Sequence, residues 1–224
     1  MPLKIRNASS TESEIIIYAP IGASMWEDSI SAKQFQKELA AIPDSCKKIT
    51  VRINSPGGDV FDGIAIYNLL KTKKQHKTVC VDAMAASIAS IIAMAGDEIV
   101  MSEGSQMMIH KPWCYTGGNS EELEKTIQRL DDIEEQMLSI YRSKTKMDRS
   151  ELRAMLREET WMDADKCLEM GFATSKMAED DEIRVAASCD KAVWIKNKPK
   201  FDNKKLENRI DTLKLEIEKY LKKK

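Results

Sequence analysis

Groups able to do chemistry are scarce in this chain, and each scarcity removes a class of function. The 224 residues include two histidines and five cysteines. The cysteines, Cys46, Cys80, Cys114, Cys167 and Cys189, are odd in number, widely spaced and without a CxxC pair. That pattern signals neither a zinc site nor a disulfide framework and reads as reduced thiols. No GxxxxGKS or GxxxxGKT phosphate loop occurs and no internal repeat of fixed period is present. Thirty-five basic against 36 acidic side chains leave a net charge of −1, so no global field draws nucleic acid or an anionic membrane. The longest small-and-apolar run, residues 83–96, falls short of the roughly 20 residues that span a bilayer. The opening "MPLKIRNASSTESE" lacks the apolar segment of a signal peptide. The expectation is a cytoplasmic protein that engages neither nucleic acid nor membrane.

What is present is enough for a core. Hydrophobic residues make up 42% of the chain and charged ones 32%, which suits a packed domain with a heavily charged surface. "EIIIYA" (14–19), "KKITVRIN", "KTVCVDA", "EIVM" and "QMMIH" read as strands. Between them, "SISAKQFQKELAAI" has Ser31 and Gln34 at capping-box spacing, with Phe35, Leu39 and Ile42 on one face. "VFDGIAIYNLLK" and residues 85–95 also read as helices. Asn119 caps a long helix over 119–145 with Leu123, Ile127, Leu130, Met137 and Tyr141 as its apolar stripe, and helices at 148–158 and 163–170 follow. Alternating strands and helices predict an α/β fold with a largely parallel sheet and right-handed crossovers. The compact domain should cover 1–180. Residues 181–224 read as a polar linker and a charged helix, with Leu206, Ile210, Leu213, Ile217 and Tyr220 at coiled-coil steps of four and three.

Three short stretches carry the candidate chemistry. A serine hydroxyl is a poor nucleophile without a base, and histidine is the side chain best placed to serve near neutral pH. His76 lies in the lysine-rich "KTKKQHKT" and reads as a solvated loop residue. His110 ends the apolar run "QMMIH", and in parallel sheets functional groups gather beyond the carboxyl ends of strands. In "INSPGGDV", Gly57 and Gly58 permit positive φ and close approach, so their amides can face an oxyanion. In "AMAASIAS", Ser87 falls in the first turn of a helix, and the Ile88 N–H has no intrahelical partner. Ser90, one turn further in, reads as a small packing residue.

In order and spacing, "INSPGGDVFDGIAIYNLL", "AMAASIASIIAMAG", "MMIHKPW" and "ETWMDADKCLEMGF" resemble the caseinolytic (Clp) serine peptidase family over roughly residues 14–175. The resemblance implies a ClpP/crotonase-like fold, with Ser87 as nucleophile, His110 as general base and the Gly58 and Ile88 amides as oxyanion hole. The third triad member falls at Glu159, where the main Clp subunits carry aspartate; Glu158 and Asp163 are nearby alternatives. Polypeptide substrate would lie as an added strand beside Gly57, near Gly117 and Gly118. The resemblance further implies a homo-oligomeric ring built through helix 119–145, with no metal or organic cofactor and any ATP use left to a separate AAA+ unfoldase. The first strand and helix, "GGDVFDGIAIYNLL" and "ETWMDADKCLEMGF" look like the phage and prophage prohead (head maturation) proteases, which cut scaffold and capsid proteins inside an assembling shell. Two other classes compete: a crotonase-type acyl-CoA enzyme, and a catalytically silent assembly protein that keeps the fold.

Overall fold

The computed structural model describes residues 3–7, 11–22 and 29–177. The chain divides into units Met1–Ile183 and Arg184–Lys224. The second unit, with the expected heptad helix and Cys189, lies outside the described residues. Strands β1 (Leu3–Asn7) and β2 (Glu12–Ile17) form an antiparallel pair. Helix α1 (Ala32–Leu39) follows, and Ser31 caps it as its spacing predicts, accepting from the Gln34 N–H at 3.2 Å. Then come β3 (Lys48–Ser55), α2 (Val60–Thr72), β4 (His76–Ala86) and α3 (Ile88–Ala93). Strands β5 (Glu98–Met101) and β6 (Gln106–Ile109), helices α4 (Ser120–Arg142) and α5 (Arg149–Arg157), β7 (Thr160–Asp163), α6 (Ala164–Met170) and β8 (Ser175–Lys176) complete the described chain.

The central sheet runs β1-β2-β3-β4-β5-β8, and every pair on this path except β1–β2 is parallel. An α/β fold with a mostly parallel sheet is therefore what the chain adopts. Along β3 burial alternates: Ile49, Val51 and Ile53 are fully buried and join Val79 and Val81 of β4 in the core with α1, α2 and α3. Strand β4 is long because it serves two partners. Thr78–Val81 pair with β5, the register against β3 shifts between Ile53 and Ser55, and Met84–Ala86 pair with β6.

That second pairing corrects the expected helix over 85–95. Residues through Ala86 stay in the sheet because β6 offers them a parallel partner, so α3 begins only at Ile88. A second correction concerns β7. The segment between the last two helices pairs antiparallel with β6, a partnership that its four residues do not announce. In α4, Ile133, Met137, Leu138 and Tyr141 pack into the core, whereas Leu123 and Ile127 of the expected stripe are exposed. His76 is the first residue of β4 rather than a loop residue, with its side chain half exposed near Asp97 and Glu98.

Side chains on the other face of β3 and β4 include an ion pair. The Arg52 guanidinium donates to Asp82 through Nε at 2.9 Å and through its terminal nitrogen at 2.5 Å, and the Tyr18 hydroxyl donates to the same carboxylate. The Asp82 side chain has no solvent exposure. Burial pushes its carboxyl above the ordinary aspartate value, while Tyr18 and Arg52 pull in the opposite direction. Removing one partner of such a pair leaves a buried charge without compensation. Arg52→Met should therefore cost roughly 3–5 kcal/mol of unfolding free energy in urea titration. The double variant with Asp82→Leu should recover most of that loss.

Candidate active site

The site is built where β4 hands over to α3. Ser87 occupies that junction with φ 55° and ψ −129°, a left-handed backbone that costs a non-glycine residue on the order of 1–3 kcal/mol. Its N–H donates to the Met108 carbonyl on β6 at 2.9 Å, which ties the turn to the neighbouring strand. A serine at a helix N-cap ordinarily turns its hydroxyl onto the first-turn amides. Ser87 makes no such capping bond. Its Oγ lies instead 2.7 Å from Nε2 of His110.

His110 follows directly on β6, and the next residue is fixed by a bond from the Lys111 N–H to the Leu156 carbonyl at 2.9 Å. Burial pushes the His110 pKa below the ordinary histidine value, and the nearby Glu159 carboxylate opposes that shift. The ring is thus neutral near pH 7. If Nε2 accepts the serine proton, the ring's own proton sits on Nδ1.

The antiparallel register of β6 and β7 runs Gln106↔Asp163, Met107↔Met162, Met108↔Trp161 and Ile109↔Thr160. His110 and Glu159 are the next residues beyond the last pair of this register, and the Glu159 carboxylate acts on the His110 ring electrostatically. Glu159 also has a left-handed backbone, φ 51°. Its carboxylate accepts a 3.4 Å hydrogen bond from Nε1 of Trp161; among the described residues it makes none with His110. The two alternatives are placed differently. Asp163 lies at the far end of the register and caps α6, accepting from the Lys166 N–H at 2.8 Å. Glu158 is the exposed C-cap of α5.

The third component is the turn after β3. Gly57 (φ 89°) and Gly58 (φ 146°) both occupy the left-handed half of backbone space. A Cβ on Gly57 would lie 2.6 Å from the Ala86 carbonyl, 2.7 Å from Ser87 Cβ and 3.1 Å from the Ile88 nitrogen. The glycine turn therefore rests directly on the serine turn. Around Gly58, Ile21 donates to the Gly57 carbonyl at 2.8 Å and accepts from Asp59 at 2.9 Å. Among the described residues, neither the Gly58 nor the Ile88 N–H donates a backbone hydrogen bond. Ser55 pins this turn, its hydroxyl donating to the Ala19 carbonyl at 2.7 Å and accepting from the Gly57 N–H at 3.2 Å.

The remaining candidates separate clearly. Ser90 is fully buried and donates to the Ser87 carbonyl at 2.5 Å while bonding the Tyr141 hydroxyl at 2.7 Å. It braces the turn and is closed to solvent. Gly117 has open space around it and Gly118 packs on Glu122 at the start of α4. Both lie in the irregular stretch after His110, where exposed Trp113 and Tyr115 meet edge to face at 5.1 Å. Sequence reasoning passed over Ser55, which reads as ordinary turn chemistry, and Trp161, whose relation to Glu159 depends on β7. Among the described residues no cluster of three or more His, Cys, Asp or Glu could hold a metal ion, and no helix is long and apolar enough to cross a membrane.

A strained serine bonded to a half-buried histidine, beside a double-glycine turn, defines a site of the kind the sequence motifs anticipate. Residues 3–180 match the family model for Clp protease, and the chain belongs to that family. It is 28% identical over 149 residues to an ATP-dependent Clp protease proteolytic subunit of Bacteroides thetaiotaomicron, covering 65% of this chain and 68% of that one. A Streptococcus pneumoniae protein of the same name is 30% identical over 141 residues, covering 61% and 72%. In fold, the chain is similar to a solved ClpP1 mutant from Listeria monocytogenes, with a TM-score of 0.65 at 20% identity over 76% of this chain and 94% of that one.

The electrostatics can be checked without any assay of activity. The His110 ring, followed by NMR, should titrate below the free-histidine value of about 6.5. Since Glu159 is the neighbour that favours the imidazolium, Glu159→Gln should move that midpoint lower still. An unchanged or raised midpoint would separate Glu159 from His110.

Proposed function

We propose that the chain is a serine endopeptidase, with Ser87 as nucleophile, His110 as general base and Glu159 as the orienting acid. The 2.7 Å contact between Ser87 Oγ and His110 Nε2 carries this reading, because it activates a hydroxyl that would otherwise cap a helix. His110 removes the serine proton as Oγ attacks a peptide carbonyl. The Gly58 and Ile88 amides, free of backbone partners among the described residues, receive the developing oxyanion. His110 then protonates the leaving amine, and water releases the acyl group by the same sequence of proton transfers. Polypeptide would run past Gly57 as an added strand, with Gly117 and Gly118 beside it. Loss of one oxyanion donor in such a site costs roughly 10²–10³ in kcat. A crotonase-type acyl-CoA chemistry leaves the Ser87–His110 pair without purpose.

A fluorophosphonate probe tests the reading. It should label the wild-type chain and Ser90→Ala, provided the latter folds, and should not label Ser87→Ala. An assembled wild-type protein that resists the probe would favour a silent assembly protein, the reading to which glutamate at position 159 lends weight.

The physiological substrate we infer is phage scaffold and capsid protein, cut by a homo-oligomeric ring inside a prohead. Support comes from the prohead-protease resemblance of the stretches around α1, α2 and β7, and from Leu123 and Ile127 on α4, exposed in the single chain. The name of the relatives, ATP-dependent Clp protease proteolytic subunit, favours the second reading: general degradation with a separate AAA+ unfoldase. Co-expression with scaffold and major capsid proteins distinguishes the two. Scaffold fragments that disappear in Ser87→Ala support processing. Intact scaffold, together with unfolded-protein cleavage that rises when an unfoldase and ATP are added, supports degradation.

A further inference from the structure

The segment that leaves His110 and the helix that leads to Glu159 are joined by one buried carboxylate that the proposed chemistry does not use. Glu134, on α4, has a side chain only 6% exposed. One of its oxygens lies 2.8 Å from the ammonium of Lys111, the residue after His110. The other accepts from Nε of Arg153 at 3.0 Å. Arg153 lies on α5, whose C-cap Glu158 immediately precedes Glu159. Outside this knot, Glu135 pairs with Arg149 and Arg153 at the exposed surface.

Stability alone is a poor reason to bury Glu134. A buried ion pair is often no more stabilising than apolar side chains of similar volume. Two charged arms on one carboxylate instead supply registry, because each arm fixes a different chain segment at a defined distance. Burial works against the charge on Glu134, yet the Lys111 ammonium and the Arg153 guanidinium beside it hold its carboxyl below the ordinary glutamate value. It stays ionised and keeps both arms. The backbone bond from Lys111 to Leu156 runs between the same two segments.

We infer that Glu134 is a positioning residue, which sets the spacing between His110 and Glu159 by holding the half-exposed arms of Lys111 and Arg153 on one buried carboxylate. The inference rests on the triad reading of Ser87, His110 and Glu159. Glu134 touches neither His110 nor Glu159 in a hydrogen bond among the described residues, so its effect has to pass through its two arms.

The test uses the full chain. Its two histidines give a sparse ring spectrum in which His110 is assigned by comparison with His76→Gln. In Glu134→Gln the His110 midpoint should fall, as in Glu159→Gln, and the two changes together should lower it no further than Glu159→Gln does. On a peptide substrate, kcat should drop roughly ten- to a hundredfold with KM within about twofold. Lys111→Met, at a half-exposed position, should reproduce the direction of both effects and serves if Glu134→Gln does not fold. A Glu134→Gln or Lys111→Met protein with a lower melting temperature but wild-type kcat and His110 midpoint would overturn the inference and leave Glu134 a stabilising residue. If the wild type neither takes the probe nor cuts peptide, the peptidase reading fails, and the His110 titration still reports whether Glu134 sets the His110–Glu159 coupling.

Discussion

The rest of the site depends on the turn at Ser87, where a residue with a Cβ is held at positive φ between a strand and a helix. Such a conformation persists only where its surroundings over-determine it, and here three contacts do so. The Ser87 N–H is held by β6, its carbonyl accepts the buried Ser90 hydroxyl, and Gly57 packs against it from the β3 side. Relaxing the turn would break contacts to three separate elements. The consequence is chemical, because the hydroxyl is withdrawn from its usual capping duty and set against the imidazole of His110.

The same logic explains why β4 is the longest strand and why it changes partners. Its first half is anchored between β3 and β5, and its second half between β3 and β6. Strand β6 therefore delivers His110 beside the residue that β4 delivers, with no long flexible connection to fix. Strand β7, paired to the free edge of β6, starts one residue after Glu159, opposite the end of the strand that leads into His110. Serine, histidine and glutamate thus lie at the ends of three strands of one sheet region, the arrangement expected when functional groups collect at strand ends.

What could be read from the sequence follows from how local each signal is. "SPGG", "AAS" and the strand-final histidine are short stretches whose backbone demands are written in their own residues. The Asn119 and Ser31 caps were legible for the same reason and form as expected, Asn119 within a capping box. Strand β7 was not legible. "TWMD" is four residues long, and its strand state comes from β6, about fifty residues away. The extent of β4 through Ala86 escaped likewise, since "AMAAS" shows its strand character only when β6 is beside it. Glu134 sits in "DDIEEQ", where acidic residues at helical spacing read as a solvated face. Its burial depends on Lys111 and Arg153, which arrive from other parts of the fold.

On the proposed triad, position 159 shows what glutamate in place of aspartate involves physically. Glutamate adds a methylene between backbone and carboxylate, and Glu159 meets that extra length on a left-handed backbone at the threshold of β7. Trp161, two residues on, supplies a neutral N–H that holds the carboxylate. A neutral indole competes weakly with an imidazolium for a carboxylate, since a hydrogen bond to an ionised donor is roughly twice as strong. On the proposed mechanism that imbalance appears only after His110 has taken the serine proton. The carboxylate would then exchange its weaker partner for the stronger one as charge develops. An interaction that strengthens in step with the developing charge lowers the barrier, whereas one already complete in the resting site would stabilise ground and transition states alike.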